Sequence, residues 1–135
     1  MANDELELVR WAFAHLDSER FESVLPSVAE DFEMTTTAAV ASEPDVYRGP
    51  EGVRRWWVSF LDAMDFVRLE AGEFTDVGEG QVIVEFEIHA RGKQSGIDVH
   101  QPAIALATVA AGKLSRLEFF VNLDEARAAA RSAPG

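Results

Sequence analysis

The chain has no cysteine, a single tyrosine, five prolines and only 12 lysines and arginines against 24 aspartates and glutamates. Without cysteine there are no disulfides, thiolate metal ligands or cysteine nucleophiles, and the redox compartment stays open. A formal net charge of −12 repels phosphate backbones and anionic lipid, so neither nucleic acid nor membrane is an expected partner; the same acidity also serves solubility. No run approaches the ~20 apolar residues of a membrane span. Met1-Ala2-Asn3-Asp4-Glu5 lacks the basic start and apolar stretch of a signal peptide, so a cytoplasmic location is expected. Also missing are a glycine loop after a strand that would cradle phosphate, a G-x-S-x-G elbow and an H-E-x-x-H pair. The three histidines, His15, His89 and His100, do not share helical spacing. A metal site would need them to converge over long range with a carboxylate that the spacing does not identify, so no metal site and no cofactor are expected.

What is present is a foldable domain. With 47% apolar residues in 135, the chain has enough hydrophobic surface for one core and too few residues for two. A single domain over residues 1–131 and a short tail, 132–135, are expected. Asn3 or Asp4 can cap a first helix whose buried stripe is Leu6, Val9, Phe13 and Leu16. A shorter helix follows through Phe21, Val24 and Leu25, with Pro26 near its end. Residues 32–37 read as a strand and 38–47 as a loop. Pro50, with φ already fixed near the helical value, begins a helix that carries Val53, Trp56, Trp57, Phe60, Leu61 and Met64 at helical spacing.

From residue 66 the texture changes to strands, 66–76, 81–90, 97–109 and 114–121. The second has the clearest alternation, Val82, Val84, Phe86 and Ile88 against Ile83, Glu85, Glu87 and His89. A last helix spans 125–131, capped by Asn122 or Asp124. Helices first and hairpin-linked strands last argue for an α+β fold: a curved antiparallel sheet wrapped around N-terminal helices, cone-shaped, with an internal pocket.

In this order the elements resemble the SnoaL-like branch of the nuclear transport factor 2-like superfamily. Four passages carry the resemblance: Asp31-Phe32-Glu33-Met34; Tyr47-Arg48-Gly49-Pro50-Glu51-Gly52-Val53-Arg54-Arg55-Trp56-Trp57; Ser95-Gly96-Ile97-Asp98; and Gly112-Lys113-Leu114 with Leu123-Asp124-Glu125-Ala126. The resemblance implies a cone fold, a homodimer through the sheet, and a pocket between the helices and the concave sheet face. It also implies activities that range over ketosteroid isomerase-like enzymes, polyketide cyclases, epoxide hydrolases and dehydratases. The catalytic groups of these enzymes are not matched. The carboxylate base of the isomerases aligns with Thr36, their tyrosine with Ala12 and their protonated acid with Ile104, none of which is a strong donor for an enolate. The acid of the cyclases aligns with Phe119, with Glu118 on the opposite face.

The leading expectation is therefore a pocket protein for a small, largely apolar molecule. Its wall is assigned to Trp56, Trp57, Thr36, Phe86, Ile104, Leu117, Phe119 and Val121. Neighbouring tryptophans on a helix diverge by about 100°, so one lines the cavity and the other packs on another element. The alternative is an isomerase, cyclase or dehydratase with His100 as acid or base. The strand register that turns Ile104 and Leu106 inward turns His100 inward too, under the tryptophan helix, and imidazole titrates near neutral pH. A histidine hydrogen-bonded at the rim is the plainer reading of the same residue. Ile83, Ala103, Ala105 and Ala107 form the expected outward set, suited to a flat contact between two copies. A module that only pairs with another protein through its sheet is the third reading.

Overall fold

The computed structural model describes residues 4–17, 20–35, 46–120 and 122–132. Helix α1 is Asp4–Ala14, followed by a 3₁₀ segment, Phe21–Ser27. Strands β1 (Val28–Thr35) and β2 (Val46–Arg48) precede helix α2, Gly49–Ala63. Four strands follow, β3 (Met64–Gly78), β4 (Gln81–Gly92), β5 (Asp98–Ala110) and β6 (Lys113–Phe120). Helix α3, Leu123–Ser132, ends the described chain. None of the described helices is long and apolar enough to cross a membrane.

The strands form one open, curved sheet in the order β2-β1-β6-β5-β4-β3. Three consecutive hairpin-linked pairs are antiparallel, as expected; β1–β2 is antiparallel too, and β1 and β6 run parallel. The parallel pair joins the first part of the chain to the last strand, a connection that no local hairpin signal announces. Register shifts interrupt β3–β4 at three places and β5–β6 at one. Such bulges bend a strand and increase its twist, which curls the sheet around the helices.

α1, the 3₁₀ segment and α2 cover the inner face, where Val82, Val84, Phe86, Ile88 and Ala90 of β4 are buried. α3 lies on the outer face, over Ile83 and Leu106. Two local departures from expectation have simple causes. The second helix is 3₁₀ throughout, with Pro26 inside it, because proline cannot donate the hydrogen bond an α-helical turn needs there. β2 falls in the expected loop, since three residues give too short an alternation to read.

The Tyr47-to-Gly52 passage is explained by close approach. Gly49 has φ +67°, which favours glycine, and turns the chain from β2 into α2. A Cβ on Gly52 would stand 2.8 Å from the backbone carbon of Tyr47. The motif is thus a device that seats α2 against β2, and Trp56 and Trp57 follow from that seat.

Candidate functional site

Between α1, the 3₁₀ segment, β1, α2 and β6 lies a hollow of about 30 Å³. Its wall includes Ala12, Phe13, Phe32, Met34, Trp56 and Leu117, and every described residue that lines it is apolar. The place is the one expected for a pocket; the size is not. Ligand sites for drug-sized molecules run to about 300–1,000 Å³, whereas this space admits roughly one methylene or one water.

Aromatic rings occupy the rest. Trp56 stacks near Phe119 with ring centroids 5.8 Å apart, Phe119 meets Phe86 edge-on at 5.9 Å, and Phe86 meets Phe13 at 5.4 Å. Trp57 turns away from the hollow and stacks on Phe21. Two larger hollows among the described residues are surface grooves. One, of about 560 Å³, lies by Glu5, Leu8, Glu79 and Gly80; another, of about 480 Å³, lies by Arg48, Glu51 and Arg55. Both are open and edged with charge, unlike the apolar wall expected.

The assigned wall residues divide. Trp56 and Leu117 line the hollow. Phe86 and Phe119 face the same interior, and Trp57 is buried in the same core without lining the hollow. Thr36 and Val121 lie outside the described residues. Ile104 faces the other way and packs with the cluster beneath α3.

Ile104 marks a correction to the whole of β5. Ala103 pairs with Phe86, Ala105 with Phe119 and Ala107 with Leu117, so the alanines face inward, where they are 4%, 0% and 0% exposed. The outward reading of Ala103, Ala105 and Ala107 is overturned, so these alanines supply no contact between copies; Ile83 alone of that set is outward. The reason is volume. The rings of β4, β6 and α2 fill the interior, and only small side chains fit beneath them at native packing density. Ile104 and Leu106 find room on the outer face against Ala126, Ala129 and Ala130 of α3.

His100 shares their face, as its even register requires. It is paired with His89, its side chain is 59% exposed, and it points away from the tryptophan helix. Glu118 is also outward, opposite Leu106, and meets Arg116 at 3.5 Å. Tyr47 sits on β2, three strands from β5, or about 14 Å at ~4.8 Å per strand. Neither group assists His100 at the interior, where the acid–base reading placed it. Among the described residues, none that lines the hollow carries a group able to move a proton.

The same pairing brings together what the spacing in sequence kept apart. His89 and His100 face each other across β4 and β5 with ring centroids 4.3 Å apart, and Glu87 lies beside both. The signal was in the chain. Glu87 and His89 are two apart on one strand and so share a face, but finding His100 opposite them required the hairpin register.

An α+β cone with an open curved sheet, helices on its concave side and an apolar hollow between them defines a protein of the nuclear transport factor 2-like fold. Residues 9–117 match the SnoaL-like domain, and the chain belongs to that family. Solved structures with this fold include a nuclear transport factor 2-like protein of unknown function from Burkholderia pseudomallei, at TM-score 0.76 and 16% identity over 92% of this chain and 95% of the other. TerC, co-crystallised with polyporic acid, superimposes at TM-score 0.76 and 17% identity over 96% of this chain and all of its own. A ketosteroid isomerase-like fold protein from Catenulispora acidiphila, in complex with trimethylamine, does so at TM-score 0.69 and 16% identity, over 90% of each chain. At such identities the likeness is one of fold. No curated protein matches the sequence.

Proposed function

We propose that this SnoaL-like protein binds a small, largely apolar molecule between α2 and the inner face of the sheet, and that it acts by binding. The observation that carries the reading is the composition of the hollow: eleven lining residues, all apolar, one of them an indole. An apolar void of this kind has no affinity for water and favours an apolar guest. The absence of an acid or base from that wall favours binding over proton-transfer chemistry. That TerC was crystallised with polyporic acid makes ring-shaped compounds a reasonable first panel. Because the space is only about 30 Å³, a ring-sized guest requires the rings of Trp56 and Phe119 to shift.

The test is a titration of the purified chain with planar aromatic acids, steroids and terpenoids, read by thermal denaturation and indole fluorescence. Saturable stabilisation is expected from at least one class. Filling the hollow with Ala12→Leu should abolish it. If no compound shifts the transition up to its solubility limit, or if Ala12→Leu leaves a shift untouched, the proposal fails. Pairing of two copies through the outer sheet face is a further proposal; it rests on the family resemblance, and sedimentation at varied concentration tests it.

A further inference from the structure

We infer that the outer face of the sheet holds a binding site for a divalent first-row transition cation, formed by Glu87, His89 and His100. The inference is independent of the interior hollow, which lies on the other face.

The backbone makes the site. Glu87 and His89 are alternate residues of β4 and point the same way. His100 stands directly opposite His89 in the β4–β5 register, and Glu70 of β3 stands opposite Glu87. One donor atom each from Glu87, His89 and His100 lies within 4.8 Å of the other two. Glu87 Oε1 is 3.1 Å from His89 Nε2 and 3.8 Å from His100 Nδ1. Ligands at the ~2.0–2.1 Å bond lengths of zinc stand about 3.3 Å apart in a tetrahedron, so small side-chain rotations suffice. Glu70 Oε1, 3.7 Å from His89 Nε2, is placed to be a fourth ligand or to orient the imidazole.

A second feature singles out His89. Its side chain is 14% exposed, and its Nε2 is fully covered yet makes no hydrogen bond among the described residues, although Glu87 Oε1 stands 3.1 Å away. A buried polar atom left without a hydrogen bond costs free energy. A metal at this point would satisfy that nitrogen together with Glu87. Two imidazoles and one carboxylate suit Zn²⁺, Ni²⁺ or Cu²⁺ and disfavour Mg²⁺ and Ca²⁺, which prefer oxygen throughout. Arg68, across from His89, opposes a cation, but Glu70 holds its guanidinium at 3.2 Å. The net charge of −12 also favours cations near the surface. Glu87 and His100 are about half exposed, which leaves coordination positions for water or a second ligand. The site is clear of α3, whose nearest covered residues, Ile104 and Ile83, lie four residues along the strands from His100 and Glu87, or some 13 Å at ~3.3 Å per residue.

The test is calorimetric titration of the full, tag-free chain with zinc chloride alone, alongside His100→Ala, Glu87→Gln and, as a control, His15→Ala. One ion per chain is expected for the native protein and for His15→Ala, whose imidazole bonds the Trp11 carbonyl on α1. An affinity loss of at least tenfold is expected for His100→Ala and for Glu87→Gln. Magnesium should give no saturable heat. Both test residues are exposed enough for substitution to leave the fold intact, and far-ultraviolet circular dichroism checks each variant. Should one variant not fold, the other decides. Native protein without saturable zinc binding, or a folded variant that binds zinc as tightly as the native chain, overturns the site.

Discussion

Phe21 and Trp57 stack face to face, with ring centroids 4.9 Å apart and planes 3° from parallel. Phe21 is the first residue of the 3₁₀ segment and Trp57 lies in the middle of α2, so this contact fastens the N-terminal excursion to the helix that roofs the core. Both are almost wholly buried, at 3% and 2% exposure. Trp57→Ala is expected to lower stability by about 3–5 kcal/mol, the usual range for removing a buried large aromatic ring. A double-mutant cycle of Phe21→Leu and Trp57→Leu, measured by denaturant unfolding, should give a coupling of about 0.5–1.5 kcal/mol for the stack itself. Zero coupling would mean that the two rings contribute only their separate burial.

Gly52 sets two effects against each other. Inside a helix, Gly→Ala normally stabilises by about 0.5–1 kcal/mol. Here the added methyl meets the Tyr47 backbone at 2.8 Å and its Cβ at 3.3 Å, and backbone cannot rotate aside as a side-chain tip does. Overpacking of this kind costs about 1–3 kcal/mol. Gly52→Ala is therefore expected to destabilise, with a fall in urea midpoint as the readout. A rise would show that α2 can lift from β2 freely.

The legible part of the fold was the part written in single periodicities. β4 has one buried and one half-polar face over most of its length, and its inward set, Val82 to Ile88, was readable from alternation. β5 is different, because both its faces are covered near Leu106: rings lie over the alanines and α3 lies over Ile104 and Leu106. Alternation then separates large from small residues and no longer separates inside from outside. Reading the larger residues as inward displaced His100 and Ile104 to the wrong face. The hairpin compounded the difficulty. A loop over 91–96 would pair Ala90 with Ile97, whereas the strands pair Ala90 with Val99, so the opposition of His89 and His100 was hidden. The family resemblance located the hollow between helices and sheet, but the degree to which indole and phenyl rings fill it depends on packing in three dimensions.

Leu117 borders the hollow on β6. Leu117→Ala should cost about 2–5 kcal/mol through lost transfer energy and the larger cavity. If the interior is a binding site, that cavity should accept benzene-sized compounds, as dry engineered cavities do. A compound present at 100 times its dissociation constant then restores about 2.7 kcal/mol. Thermal melts of Leu117→Ala with and without benzene or indole measure both quantities. An unchanged melting temperature with either compound would indicate that the surrounding rings collapse into the space.

α3 packs on the sheet largely through alanines, Ala126, Ala129 and Ala130, in the cluster with Ile83, Ile104 and Leu106, so its first turn matters for holding it in place. Asn122 Oδ1 accepts the Glu125 backbone N–H at 2.9 Å, which satisfies one of the helix's free donors. Asp124 and Glu125 add negative charge at the positive end of the helix dipole. Replacing the cap by alanine usually costs about 1 kcal/mol. In a helix of ten residues, too short to persist without its packing, that loss should appear first as local opening. Asn122→Ala is therefore expected to speed amide exchange across 123–132 several-fold while the exchange of β4 and β5 core amides follows the small global change. Restoring the cap with Asn122→Asp or Asn122→Ser should return the slow exchange, because either side chain offers the same acceptor. If exchange instead rises equally in α3 and the central strands, the helix opens only with the whole domain, and the cap contributes to global stability with no local role.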